Sequence, residues 1–212
     1  MVRPPVDVKS MPHDGRIALV GMSNIGKSRL TGGLSALLGG RGFGVDDLIQ
    51  NALGLNDMAA LSGWLGAPTA DGYADREAEY LRLEEEGVLA APVDEPGLVL
   101  DTTGSVAHTS TGARQFIHDH FTVVYLEPTA PIVEALIGQY LSVPKPVIWG
   151  GAFDAAAGEA FEVALKRCYP KLLAQRAEIY DAMADATLVV EDLGENGPTP
   201  DDVLAVCQSQ RR

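Results

Sequence analysis

Eight consecutive residues, Gly21-Met22-Ser23-Asn24-Ile25-Gly26-Lys27-Ser28, spell G-x-x-x-x-G-K-[ST] directly after a short apolar run. The spelling suits a triphosphate. Successive backbone N–H groups must turn inward around an anion, and Gly21 and Gly26 permit the dihedrals this requires. A helix starting at Lys27 adds its positive N-terminus. In such a loop the lysine reaches the β- and γ-phosphates and the last hydroxyl binds Mg²⁺. Those roles fall on Lys27 and Ser28. Nucleotide contacts are expected from Gly21, Ser23, Asn24, Ile25, Gly26, Lys27, Ser28 and Arg29. The loop alone does not say whether the γ-phosphate goes to water or to a small-molecule hydroxyl.

A second chemical signal is Asp101, which closes the apolar run at 97–101 (GLVLD). An acid at a strand end beside a phosphate loop can hold Mg²⁺ or its water, so Asp101 joins Ser28 as an expected metal contact. The string Asp101-Thr102-Thr103-Gly104 also fits the D-x-x-G of GTPases, whose glycine amide senses the γ-phosphate. A GTPase-like switch is therefore the alternative. Two features weigh against it: the chain has no N-K-x-D, and helical patterns fill the interval from Lys27 to Asp101, where a compact GTPase places a switch loop and a strand. His118-Asp119-His120 sits at a helix end where alternating residues diverge, and reads as a surface terminus rather than a metal site. Cys168 and Cys207 lack the cationic or CxxC setting of reactive thiols.

Positioning these groups takes a sheet. Buried strands are read at 16–22, 97–102, 122–127 and 186–191, and helices at 27–38, 46–53, 56–65, 71–89, 112–120, 130–141, 155–183 and 200–208. Their alternation predicts an α/β fold with a parallel sheet, whose ligands bind beyond the C-terminal strand ends. The 212 residues suit one domain, at 15–212, after a flexible, proline-containing arm at 1–14. With 46% hydrophobic and 21% charged residues, wholesale disorder is excluded. No apolar run approaches the ~20 residues of a membrane span. The first residues show no signal-peptide core, so a cytoplasmic location is expected. The net charge of −13 repels phosphate backbones, so nucleic acid is not an expected partner. An anionic ligand must then be held by a few placed cations and amides.

Four segments across about 16–192 resemble the shikimate kinase family of small-molecule P-loop kinases. Residues 43–49 (FGVDDLI) are similar to that family's D-x-D-x-x-I segment after the second strand, with Asp46 on the acid that contacts the substrate hydroxyl and serves as base. Residues 72–80 (GYADREAEY) are similar to the substrate helix, with Arg76 on its carboxylate-binding arginine. Residues 144–148 (PKPVI) resemble the lid's R-P-L-L, with Lys145 on the lid arginine. Residues 176–184 (RAEIYDAMA) with Asp185 resemble R-x-x-x-Y-x-x-x-A-D, with Arg176 on a second substrate-binding arginine. Gly104 falls in the family's glycine loop against the substrate.

The resemblance implies a three-layer αβα P-loop NTPase fold with a five-stranded parallel sheet, a helical substrate insert at about 45–92 and a lid at about 142–153. It implies ATP and Mg²⁺ as cofactors. The implied reaction moves the γ-phosphate to a hydroxyl of a small, carboxylate-bearing metabolite, and two arginine forks suit a carboxylate in an acidic protein. The chain departs from the pattern in four places. Asn24 replaces a glycine of the phosphate loop, Gly44 replaces the first acid of D-x-D, Thr102-Thr103-Gly104 replaces a triple glycine, and the lid cation is a lysine. These changes bear on the acceptor and the metal more than on phosphoryl transfer. They also leave a non-catalytic nucleotide-binding relative as a further alternative.

Overall fold

The computed structural model describes residues 6–142 and 146–209. Its centre is β1 (Ile17–Val20), whose IALV has no polar side chain and is buried at every position. A strand covered on both faces must read this way. Around it lie β2 (Gly42–Gly44), β3 (Val99–Asp101), β4 (Thr122–Pro128) and β5 (Ala186–Val190), in the order β2-β3-β1-β4-β5. All four pairings are parallel. In register, Leu19 stands beside Asp101, and Asp101 beside Gly44. The C-terminal ends of β1, β3 and β2 therefore finish at one level.

Eight α-helices flank the sheet among the described residues: α1 (Lys27–Leu38), α2 (Val45–Leu53), α3 (Met58–Leu65), α4 (Tyr73–Leu89), α5 (Thr111–His120), α6 (Ala130–Ser142), α7 (Phe161–Met183) and α8 (Pro200–Ser209). Their ends follow local rules. Gly39, at φ 68°, stops α1 while its N–H and that of Gly40 return to Ala36 and Ser35 carbonyls. Asp57 caps α3 by accepting from the Ala60 N–H, and Ser110 caps α5 by accepting from Ala113. α2, α3 and α4 lie between β2 and β3. α4 crosses α2 closely at Gly87, where a Cβ would stand 3.2 Å from Val45 Cγ1.

Three segments differ from the sequence expectation. β2 has only three residues, two of them glycine, so it carries no apolar run to read; only the family resemblance marked a second strand. α7 starts at Phe161 rather than 155, because Gly158 sits at φ 79° and Ala160 is extended. In the expected arm, the described part carries two 3₁₀ turns, Val8–Ser10 and Pro12–Gly15. Met11 is buried there, and the Asp14 carbonyl accepts from the Gly97 N–H. No helix among the described residues is long and apolar enough to cross a membrane.

Candidate active site

Between β1 and α1 the chain makes a tight loop with three residues at positive φ: Gly21 at 148°, Asn24 at 66° and Gly26 at 108°. Asparagine is among the few non-glycine residues that tolerate this region. Gly21 is also sterically required, since a Cβ would stand 3.1 Å from the Leu126 carbonyl oxygen. The Lys27 side chain is buried, and its ammonium donates to the Gly21 and Met22 carbonyls at 2.9 and 3.0 Å. Burial pulls the Lys27 pKa below its ordinary value, while the carboxylates of Asp101 and Asp46 oppose the shift. Ser23, Asn24, Gly26, Lys27, Ser28 and Arg29 line a cleft of about 600 Å³. Gly21 and Ile25 do not line it; the Ile25 side chain is 1% exposed and belongs to the core.

The other half of the cleft comes from four distant segments. Asp46 lies in the first turn of α2, whose N-cap is Gly44, so its carboxylate is not used as a cap. It accepts from the Tyr80 hydroxyl on α4 at 3.4 Å. Burial raises the Asp46 pKa and Lys27 holds it back. Asp101 ends β3 and lines the cleft with Ser28; burial raises its pKa too, and Lys27 and then Ser28 hold it back. Gly104 follows, and a Cβ there would stand 2.4 Å from Ser23 Oγ and 3.5 Å from Arg176 Nη1. Its carbonyl accepts from the Tyr180 hydroxyl at 2.5 Å. Arg176, 3% exposed, lines the cleft from α7.

Beneath this floor Glu84 is wholly buried. One carboxylate oxygen accepts from the Thr103 hydroxyl and the other from Ser105 at 2.7 Å. Burial pushes its pKa up to about 7, although the two hydroxyl bonds pull it back.

Of the sequence-read residues, the structure brings Lys27, Ser28, Asp46, Asp101, Gly104 and Arg176 to one cleft. Arg76 is not among the lining residues. Its Nε donates to the Leu65 carbonyl at the end of α3, 2.9 Å away, and its Nη1 and Nη2 lie against Gly72 and Gly66. The reason is one helical turn. Arg76, Tyr80 and Glu84 share a stripe of α4 at i, i+4 and i+8, and successive members lie about 6 Å apart along the axis. Tyr80 lines the cleft, Glu84 supports its floor, and Arg76 stops short at α3. The four-residue spacing was the signal that would have found Tyr80 and Glu84. Lys145 lies outside the described residues. Trp149, in the segment expected as the lid, is 2% exposed and packs edge-on against Phe153 and Tyr169.

No protein-family model matches the chain. Curated relatives do. The chain is 36% identical over 116 residues to the shikimate kinase of Mycobacterium avium, and 37% identical over 117 residues to that of Mycobacterium marinum. Each match covers 54% of this chain, and 57% and 55% of the respective relatives. The chain thus spans little more than half the length of the curated relatives it matches. Among solved structures, shikimate kinase from Acinetobacter baumannii in complex with shikimate superposes over 96% of both chains, with TM-score 0.64 and 18% identity. Shikimate kinase from Aquifex aeolicus superposes over 92% of both, with TM-score 0.57 and 19% identity. Solved folds over nearly all of the chain show that it has the three-layer P-loop fold, and over about half its length its sequence is similar to curated shikimate kinases.

Proposed function

We propose that this chain is an ATP-dependent phosphotransferase that moves the γ-phosphate to a hydroxyl of a small, carboxylate-bearing metabolite, with shikimate the first candidate. One observation carries the reading: a phosphate loop, a loop-facing aspartate and a buried arginine open on the same cleft. The A. baumannii neighbour that holds shikimate supports the choice of first acceptor.

In this reading the loop amides and Lys27 hold the triphosphate. Asp46 orients the acceptor hydroxyl and takes its proton as the new P–O bond forms and the bond to the β-phosphate bridging oxygen breaks; ADP leaves. A raised pKa makes Asp46 a better proton acceptor than an exposed carboxylate. Arg176 meets the acceptor's carboxylate. Ser28 and Asp101, a hydroxyl and a carboxylate lining the same cleft, are oxygen donors of the kind Mg²⁺ takes. The ion, when bound, neutralises phosphate charge. Lys145 would act from the lid, and lid closure would exclude water as a competing acceptor.

The test is ADP release with ATP, Mg²⁺ and a panel of hydroxy acids headed by shikimate, with GTP as a parallel arm. Release that depends on the acceptor supports the reading. Acceptor-independent hydrolysis with strong GTP preference would instead identify a switch, and tight ATP binding without turnover a non-catalytic relative.

A further inference from the structure

His108 does not line the cleft, yet it holds the arginine that does. It is the last residue of the 3₁₀ turn Val106–His108, four residues after Gly104. Its Nε2 stands 3.1 Å from Arg176 Nε. A guanidinium has no acceptor and keeps its protons, so the imidazole must accept: the ring is neutral, with its proton on Nδ1. Burial, with Arg176 and Arg114 nearby, holds the His108 pKa down to about 4, in keeping with that state. Arg176 Nη2 donates to the Ile148 carbonyl at 2.6 Å. One edge of the guanidinium is thereby used inside the protein. Nη1 remains, lying over Gly104 on the cleft floor.

The other flank of His108 meets Gly150, in the segment expected as the lid. A Cβ on Gly150 would stand 2.4 Å from His108 Nδ1, and Gly150 is at φ 53°. The same loop is held from α4, where Glu77 Oε1 accepts from the Trp149 and Gly150 N–H groups at 2.5 and 3.1 Å.

We propose that His108 is a positioning residue for the acceptor: it locks Arg176 with Nη1 turned into the cleft and forms the seat on which the Ile148–Gly150 backbone rests. The proposal rests on the phosphotransferase reading, with Arg176 as the contact for the acceptor's anionic group.

The experiment pairs steady-state kinetics with ring NMR. With shikimate as acceptor, His108→Ala raises the acceptor KM about tenfold while the KM for ATP stays within about twofold. His108→Gln, whose carbonyl oxygen can accept from Arg176 at the same reach, restores most of the loss. Gly150→Ala, which must displace the imidazole, raises the acceptor KM in the same selective way. In the wild type, ¹⁵N spectra show a neutral His108 protonated on Nδ1 at pH 7. A ring protonated on Nε2, equal effects on both substrates, or a Gln variant no better than Ala would overturn the positioning role. A wild type without acceptor-dependent turnover, whatever its histidine tautomer, refutes the phosphotransferase reading and the acceptor role together.

Discussion

The two halves of the cleft, proposed to hold nucleotide and acceptor, are built on different principles. The nucleotide half is a single run, residues 21–29, and its shape lies in the main chain: three positive φ values and a lysine folded onto two carbonyls of its own loop. The acceptor half takes side chains from α2, α4, the loop after β3 and α7, and these hold one another: Asp46 with Tyr80, Glu84 with Thr103 and Ser105, Arg176 with His108. A local loop tolerates little change, because a Cβ at Gly21 meets backbone. A set of mutually bonded side chains can exchange members and still close. Of the departures from the shikimate kinase pattern, Thr102, Thr103 and the lid lysine lie outside the loop, while Asn24 lies within it at a positive φ that asparagine tolerates.

Substitutions sharpen or break the contrast. Lys27→Ala has the largest effect, lowering ADP release about 10³-fold or more in kcat. Activity near the wild-type level would remove the nucleotide half from the mechanism. Asp46→Asn lowers kcat about 10²–10⁴-fold while ATP binding, followed by calorimetry, holds within about twofold. Tyr80→Phe costs only a few-fold.

The two arginines separate next. Arg176→Lys keeps the charge but loses the planar fork, and raises the acceptor KM about tenfold. Arg76→Ala leaves that KM unchanged and lowers Tm by a few degrees, because it frees the Leu65 carbonyl at a cost of about 1 kcal/mol. Matching rises in KM would restore Arg76 to the acceptor half.

The smallest effect concerns pH. Glu84 titrates near 7 in the fold against an ordinary 4.5. Below 4.5 both states are protonated and the group contributes nothing. As pH rises toward 7 the unfolded chain releases its proton first, so wild-type stability falls, and the penalty is complete above 7. Glu84→Gln has no such proton. Its Tm advantage over wild type should therefore be least near pH 4.5, grow toward pH 7 and level off by pH 8. A flat difference in thermal melts would mean that Glu84 titrates like an exposed carboxyl.

The same contrast explains what could be read from the residues alone. The loop at 21–28 was legible because its chemistry is contiguous, and β1, β3 and β4 because their buried cores, IALV, VL and VVYL, form apolar runs. β2 was not visible as a run, since Gly-Phe-Gly has only one apolar side chain. On α4 the resemblance pointed to Arg76, which packs against α3, while the same stripe brings Tyr80 to the cleft lining with Glu84 buried next to it. His108 carries no local signal, because only the approach of α7 gives it a partner. Such contacts join residues 68 positions apart and leave no local pattern.

The pairing of Gly44 with Asp101 carries a wider consequence. Parallel neighbours stand about 4.8 Å apart, so a carboxylate leaving one strand can reappear on the next and still look out over the same loop. Column-by-column comparison would score such a swap as a loss at 44 and an oddity at 101. Viewed across the sheet, Asp101 stands beside Gly44, one strand spacing away.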